Sequence, residues 1–119
     1  MKKLIIFALL SFLLIPVKAH STCRVPMGEF KTTAYCPCEE CSEGYGRHTS
    51  TGCCARAQHT IAVDPSVIGY GAKVEIDGDL YRAEDCGGGV EGDHIDIFFD
   101  THDEVDEYEV QYKDVWIIK

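Results

Sequence analysis
Apolar positions in this chain follow two patterns. One is a continuous run from Leu4 to Ile15, preceded by Lys2 and Lys3. The other, from residue 29 onward, is a series of short stretches that alternate with the period of a half-buried strand. Glu29 to Tyr35 is β-prone and roughly alternating, so it predicts a first strand. Thr60 to Val63 is a short apolar strand, and Asp64-Pro65-Ser66 ends it. Lys73 to Ile76 and Leu80 to Ala83 flank Asp77-Gly78, a favoured hairpin turn. Ile95, Ile97 and Phe99 alternate with His94, Asp96 and Phe98. Thr101 to Asp106 predicts one helical turn capped by Thr101. Tyr108 to Lys113 alternates again and runs into Val115-Trp116-Ile117-Ile118, a closing strand or pair of strands. About six short strands with little helix predict a mainly β domain, closed or nearly closed into a barrel.

The first run does not belong to that domain. Two lysines, an uncharged apolar core and the small residue in Val17-Lys18-Ala19 predict a secretory signal peptide over residues 1–19, cleaved after Ala19. A spanning anchor needs roughly 20 apolar residues, and this run is shorter. Cys23 lacks the aliphatic residue upstream that lipidation requires. The expected organisation is therefore a signal peptide, a leader over residues 20–28, and one domain over residues 29–119. The whole chain carries a net charge of −9. Loss of Lys2, Lys3 and Lys18 leaves eight basic residues against 20 acidic ones, a net −12. Nucleic acid and an acidic membrane surface are excluded as partners, because both need a basic face. A neutral or weakly charged polymer stays open.

Seven cysteines survive cleavage, and in a small exported domain they read first as disulfides supplementing a modest core. The candidates are Cys36, Cys38, Cys41, Cys53, Cys54 and Cys86, with Cys23 the odd one. The spacing Cys36-Pro37-Cys38-x-x-Cys41, followed by Cys53-Cys54, is also compatible with zinc. Export favours the disulfide reading, and no metal or cofactor is expected.

Ala83 to Phe99 carries the chemistry. Asp85 leads into Cys86-Gly87-Gly88-Gly89, and Asp96 sits inside an apolar alternation where no turn or cap explains it. Aspartate is poor in strands, and its charge is costly beside aromatics. Asp64 before Pro65 reads equally as a turn cap, and Asp85 as an Asx-type turn. The glycines suit a loop lining a groove; without a following Gly-Lys-Ser/Thr they do not cradle phosphate.

Thr33-Ala34-Tyr35, Thr49-Ser50-Thr51-Gly52, Ile61-Ala62-Val63-Asp64-Pro65, Ala83-Glu84-Asp85-Cys86-Gly87-Gly88 and Ile95-Asp96-Ile97 together resemble the 3D domain. That domain is named for three aspartates and occurs in stationary-phase survival and cell-wall proteins. It is similar to the C-terminal part of membrane-bound lytic transglycosylase A. The resemblance implies a double-psi β-barrel that cleaves peptidoglycan glycan strands; the expected state is a monomer, secreted or in the cell wall. It places the catalytic aspartate at Asp96 and the other two named positions at Asp85 and Asp64. Substrate contacts would fall on Thr33, Tyr35, Thr51, Gly87 and Gly88. Two departures stand out. Ile68 stands before Gly69 where the family has proline, and Gly87-Gly88-Gly89-Val90-Glu91-Gly92 lacks the family's lysine.

Glycoside cleavage needs a carboxylic acid protonated at working pH. Burial beside Phe98 and a nearby carboxylate would raise the pKa of Asp96 in that direction. In the lytic route that the resemblance implies, a 1,6-anhydro ring closes on N-acetylmuramic acid at its β-1,4 bond to N-acetylglucosamine. A hydrolase would use a second carboxylate, and Asp85 is available. Rival classes are a non-catalytic wall-binding barrel, an aspartic peptidase built on Asp85-Cys86-Gly87, and a cysteine peptidase pairing a thiol with His48, His59, His94 or His102.

Overall fold
The computed structural model describes residues 23–119, and the expected signal peptide lies outside the described residues. The chain forms β1 (Arg24–Tyr35), α1 (Glu39–Ser42), β2 (Thr60–Val63), β3 (Lys73–Ile76), β4 (Asp79–Asp85), β5 (His94–Phe98), α2 (His102–Glu107) and β6 (Gln111–Ile118). The strands close into a barrel in the order β1-β5-β2-β4-β3-β6. The mainly β, six-stranded closed fold expected from the alternation is the fold adopted. Among the described residues, no helix is long and apolar enough to cross a membrane.

Two neighbouring pairs are parallel, β1 with β5 and β2 with β4, and the other four are antiparallel. Parallel neighbours need long crossover connections. The connection from β1 to β5 contains the two irregular segments that later form the site, residues 36–59 and 86–93. The barrel interior is filled by Phe30, Ile61, Val63, Val74, Ile76, Ala83, Ile95, Ile97 and Val115, all buried. The β3–β4 hairpin turns on Asp77 (φ 51°) and Gly78 (φ 80°), the pair of positive angles that a tight two-residue turn requires.

Two boundaries differ from expectation. β1 begins at Arg24 rather than Glu29, because Arg24 to Gly28 pairs with Val115 to Ile118. Pro26 and Gly28 disguise this in the sequence. A register shift sits between them, and Gly28 takes φ 90° to absorb it. At the seam Cys23 and Lys119 exchange backbone hydrogen bonds of 3.0 and 2.8 Å. The second difference is at Tyr108, which ends α2 instead of opening a strand. Its N–H donates to the carbonyls of Glu104 and Val105, and its hydroxyl lies 2.7 Å from that of buried Thr32. Val110 and Tyr112, which made the alternation, are exposed.

Candidate active site
The site is built on the outer face of three adjacent staves. In register, Thr33 of β1 and Ala62 of β2 both pair with Asp96 of β5, so these three side chains form one row. Their neighbours Ile95 and Ile97 point the other way, into the core. One row further, Tyr35 pairs with Phe98, and their rings meet edge to face at 5.2 Å. Tyr35, Ala55, Ala62, Val90 and Phe98 make a second apolar cluster beneath the two irregular segments. Asp96 therefore lies between two hydrophobic layers. Burial pushes its pKa up, nearby Asp85 adds to that, and a hydrogen bond from Thr33 together with His94 opposes it.

Thr33 connects Asp96 to a histidine. Its Oγ1 lies 2.9 Å from Asp96 Oδ1 and 2.7 Å from His94 Nε2, while His94 Nδ1 lies 3.0 Å from the Gly89 carbonyl. A carbonyl only accepts, so Nδ1 carries a proton. Thr33 has one proton to donate, which leaves two complete arrangements. Either Thr33 donates to an ionised Asp96 and receives from a cationic His94, or a protonated Asp96 donates to Thr33 and Thr33 donates to neutral His94. Both contain the same number of protons.

Asp85, at the end of β4, is held differently. Its Oδ1 accepts from Ser50 N (3.0 Å), Ser50 Oγ (2.8 Å) and Cys86 N (2.9 Å), and Oδ2 accepts from the Tyr35 hydroxyl (2.9 Å). Burial and Asp85 together push the Tyr35 phenol well above its ordinary pKa, so it stays a donor. Asp85 thereby ties the 36–59 segment to the barrel. Between that segment and the glycine loop lies a groove of about 610 Å³, lined by Asp96, Asp85, Tyr35, His94, Gly87 and Gly88 among others. Ala62 contributes only a methyl beside Asp96, which leaves the carboxyl accessible from the groove.

The remaining expected site residues sit behind the groove. Asp64 caps the turn after β2: Oδ1 accepts from Ser66 N and Oγ, and Oδ2 accepts from Gly92 N at 2.8 Å. These bonds lower its pKa. It anchors the glycine loop from its far end and is not among the groove-lining residues. Thr51 donates to the Glu84 carbonyl at 2.8 Å, fixing the segment to β4. Ser50 and His94 line up with the two aspartates, a role the sequence does not assign them; His94 is named there only as a possible partner for a thiol. Ser50 stood inside the Thr49-Ser50-Thr51-Gly52 stretch, and His94 stood two positions before Asp96.

The cysteines are not paired as expected. All seven described cysteines are thiols. Cys36, Cys38 and Cys41 converge on His102, with the four donor atoms within 4.8 Å of one another. Cys53, Cys54 and Cys86 are exposed, and Cys86 Sγ lies 3.1 Å from the Ser50 hydroxyl. A Cys-x-Cys-x-x-Cys run folds back on itself and presents its sulfurs to one point, so it does not reach across the 36–59 segment to Cys53 and Cys54.

Residues 59–119 match the 3D domain family. Over 73 residues the chain is 41% identical to a Bacillus subtilis protein named for cell wall shaping, YabE, covering 57% of this chain and 17% of that one. Among solved structures, MltA from Escherichia coli, described as having a unique lytic transglycosylase fold, superposes with a TM-score of 0.53 at 22% identity, over 60% of this chain and 27% of that one. The lytic transglycosylase LtgG of Burkholderia pseudomallei gives 0.53 at 24% identity, over 60% and 26%. E. coli MltA with bound chitohexaose gives 0.52 at 21%, over 60% and 27%. The chain thus spans a small part of each relative's length, and the likeness to these structures concerns the fold.

Proposed function
Because this chain belongs to the 3D domain family, we propose that it is an exported peptidoglycan lytic transglycosylase, cleaving the β-1,4 bond between N-acetylmuramic acid and N-acetylglucosamine. A cell-wall role is supported by the relative named for wall shaping and by the lytic transglycosylases that share the barrel. A glycan in the groove is supported by the chitohexaose bound to one of those neighbours.

The observation that carries the reaction is the asymmetry between the two groove aspartates. Asp85 accepts four hydrogen bonds, and both its oxygens are engaged in holding the groove walls. Asp96 is desolvated, raised in pKa and open to the groove. One carboxyl is free to act, and the lytic route needs one. Protonated Asp96 gives its proton to the glycosidic oxygen as the bond to the muramic C1 breaks. The resulting carboxylate takes the proton of that sugar's own C6 hydroxyl as O6 bonds to C1. The acid is regenerated and no water is consumed. Between the two transfers the Thr33 hydroxyl donates to the Asp96 carboxylate and steadies it. Asp64 and the glycine loop position the groove wall.

Purified protein incubated with sacculi is expected to release muropeptides ending in 1,6-anhydro-N-acetylmuramic acid, lighter by one water than hydrolytic products in mass spectrometry. Asp96→Asn abolishes release, whereas Asp85→Asn leaves measurable activity if the protein stays folded. Normal-mass reducing ends, with both variants equally dead, would make the enzyme a two-carboxylate hydrolase. Glycan binding without any release would make it a wall-binding barrel.

A further inference from the structure
We infer that Cys36, Cys38, Cys41 and His102 form a structural zinc site that fastens the groove-forming segment to helix α2. The donor atoms come from three places: the end of β1, the start of α1 and the first turn of α2. His102 Nδ1 lies 3.7 Å from Cys36 Sγ, 3.5 Å from Cys38 Sγ and 3.4 Å from Cys41 Sγ. One imidazole nitrogen has one lone pair or one proton, so three hydrogen bonds cannot explain three sulfurs around it. A common centre does. With Zn–S about 2.3 Å and Zn–N about 2.0–2.1 Å, a tetrahedral ion sets each sulfur about 3.6 Å from the nitrogen.

The surroundings match a metal centre in two further ways. His102 Nε2 lies 3.3 Å from Asp106 one turn along α2, the carboxylate partner that orients a metal-bound imidazole through its other nitrogen. Cys41 N donates to Cys38 Sγ at 3.4 Å, so a backbone amide supports the sulfur that opens the Cys-x-x-Cys turn. Three sulfurs and one nitrogen fill a tetrahedron and leave no open position, which makes the site structural rather than catalytic. Soft thiolates reject calcium and magnesium, and iron–sulfur clusters take four cysteines more readily than this set. A disulfide would use two of the three sulfurs and leave the third, and the imidazole, without a role.

The test uses the full chain purified under reducing conditions with zinc present. One zinc per chain is expected by elemental analysis. Cobalt(II) exchanged into the site should give the intense visible bands and thiolate charge transfer of a tetrahedral sulfur-rich centre. Cys38→Ser and His102→Ala lose the metal, while Cys23→Ser and Cys53→Ser keep it. A chelator lowers the melting temperature and dithiothreitol alone does not. If the ligand variants fail to fold, the cobalt spectrum of the unaltered chain decides. No uptake by the reduced chain, a weak octahedral cobalt spectrum, or peptide mapping that finds two of Cys36, Cys38 and Cys41 joined in the exported protein would overturn the assignment. None of these readouts depends on glycan cleavage, so the site and the proposed reaction fail separately.

Discussion
Asp96 is a carboxyl whose pKa is raised above all by burial, and the Thr33 hydrogen bond opposes that rise. In the proposed reaction, catalysis by the protonated carboxyl should be lost as pH rises through its raised pKa. The Thr33 hydrogen bond pulls that pKa down by stabilising the charged form. Thr33→Val keeps the shape and removes the bond, so the alkaline limb of the pH–rate profile should move to higher pH. Turnover should fall by about tenfold or more, because the carboxyl and His94 both lose their orienting partner. An unchanged limb with reduced protein stability would make Thr33 a packing residue only. Asp96 was legible in the sequence because a carboxylate in a strand alternation has no local reason to be there. Its partners were not. That Thr33 and Ala62 flank it follows from which strands are neighbours, and sequence spacing carries no record of that.

The glycine loop and the 36–59 segment are held at their edges by single side chains. Asp64 bonds Gly92 at one end of the glycine loop, and Asp85 bonds Ser50 and Cys86 at the other. Asp64→Asn keeps the two bonds from Ser66 in weaker, uncharged form and loses the third, because an amide nitrogen cannot accept from Gly92 N. It should lower turnover by about tenfold through a displaced groove wall, far less than Asp96→Asn, as assayed on sacculi. Because the folded state lowers the pKa of Asp64, its support is present above the unfolded carboxylate pKa and is lost as pH falls through the lowered value. Short elements were read well where local chemistry specifies them. Thr101 caps α2 through the Glu104 amide, and Asp77-Gly78 makes its turn. The Cys36-x-Cys38-x-x-Cys41 spacing is compatible with zinc on its own, but the fourth member of the cluster, His102, is hidden because it lies 61 to 66 residues away in the chain. Export favours pairing the cysteines with each other.

The barrel as a whole depends on a closing seam that begins earlier than the alternation suggested. Arg24 to Gly28 supplies four paired positions with β6, and Arg24 itself reaches Glu75 at 2.6 Å and stacks 4.3 Å over Trp116. A chain begun at Glu29, as the sequence boundaries propose, should expose the end of β6 as an open edge. It should melt about 10 °C or more below a chain begun at His20, or unfold without a cooperative transition, in a thermal scan. The succession of about six short strands already predicts a closed or nearly closed barrel, while Pro26 and Gly28 conceal where closure starts. The reciprocal bonds between Cys23 and Lys119 carry a separate consequence. Polypeptide enters and leaves this unit through one doorway, so it can be spliced as a cassette into a longer host, or its ends joined and the chain reopened elsewhere, with only that junction disturbed.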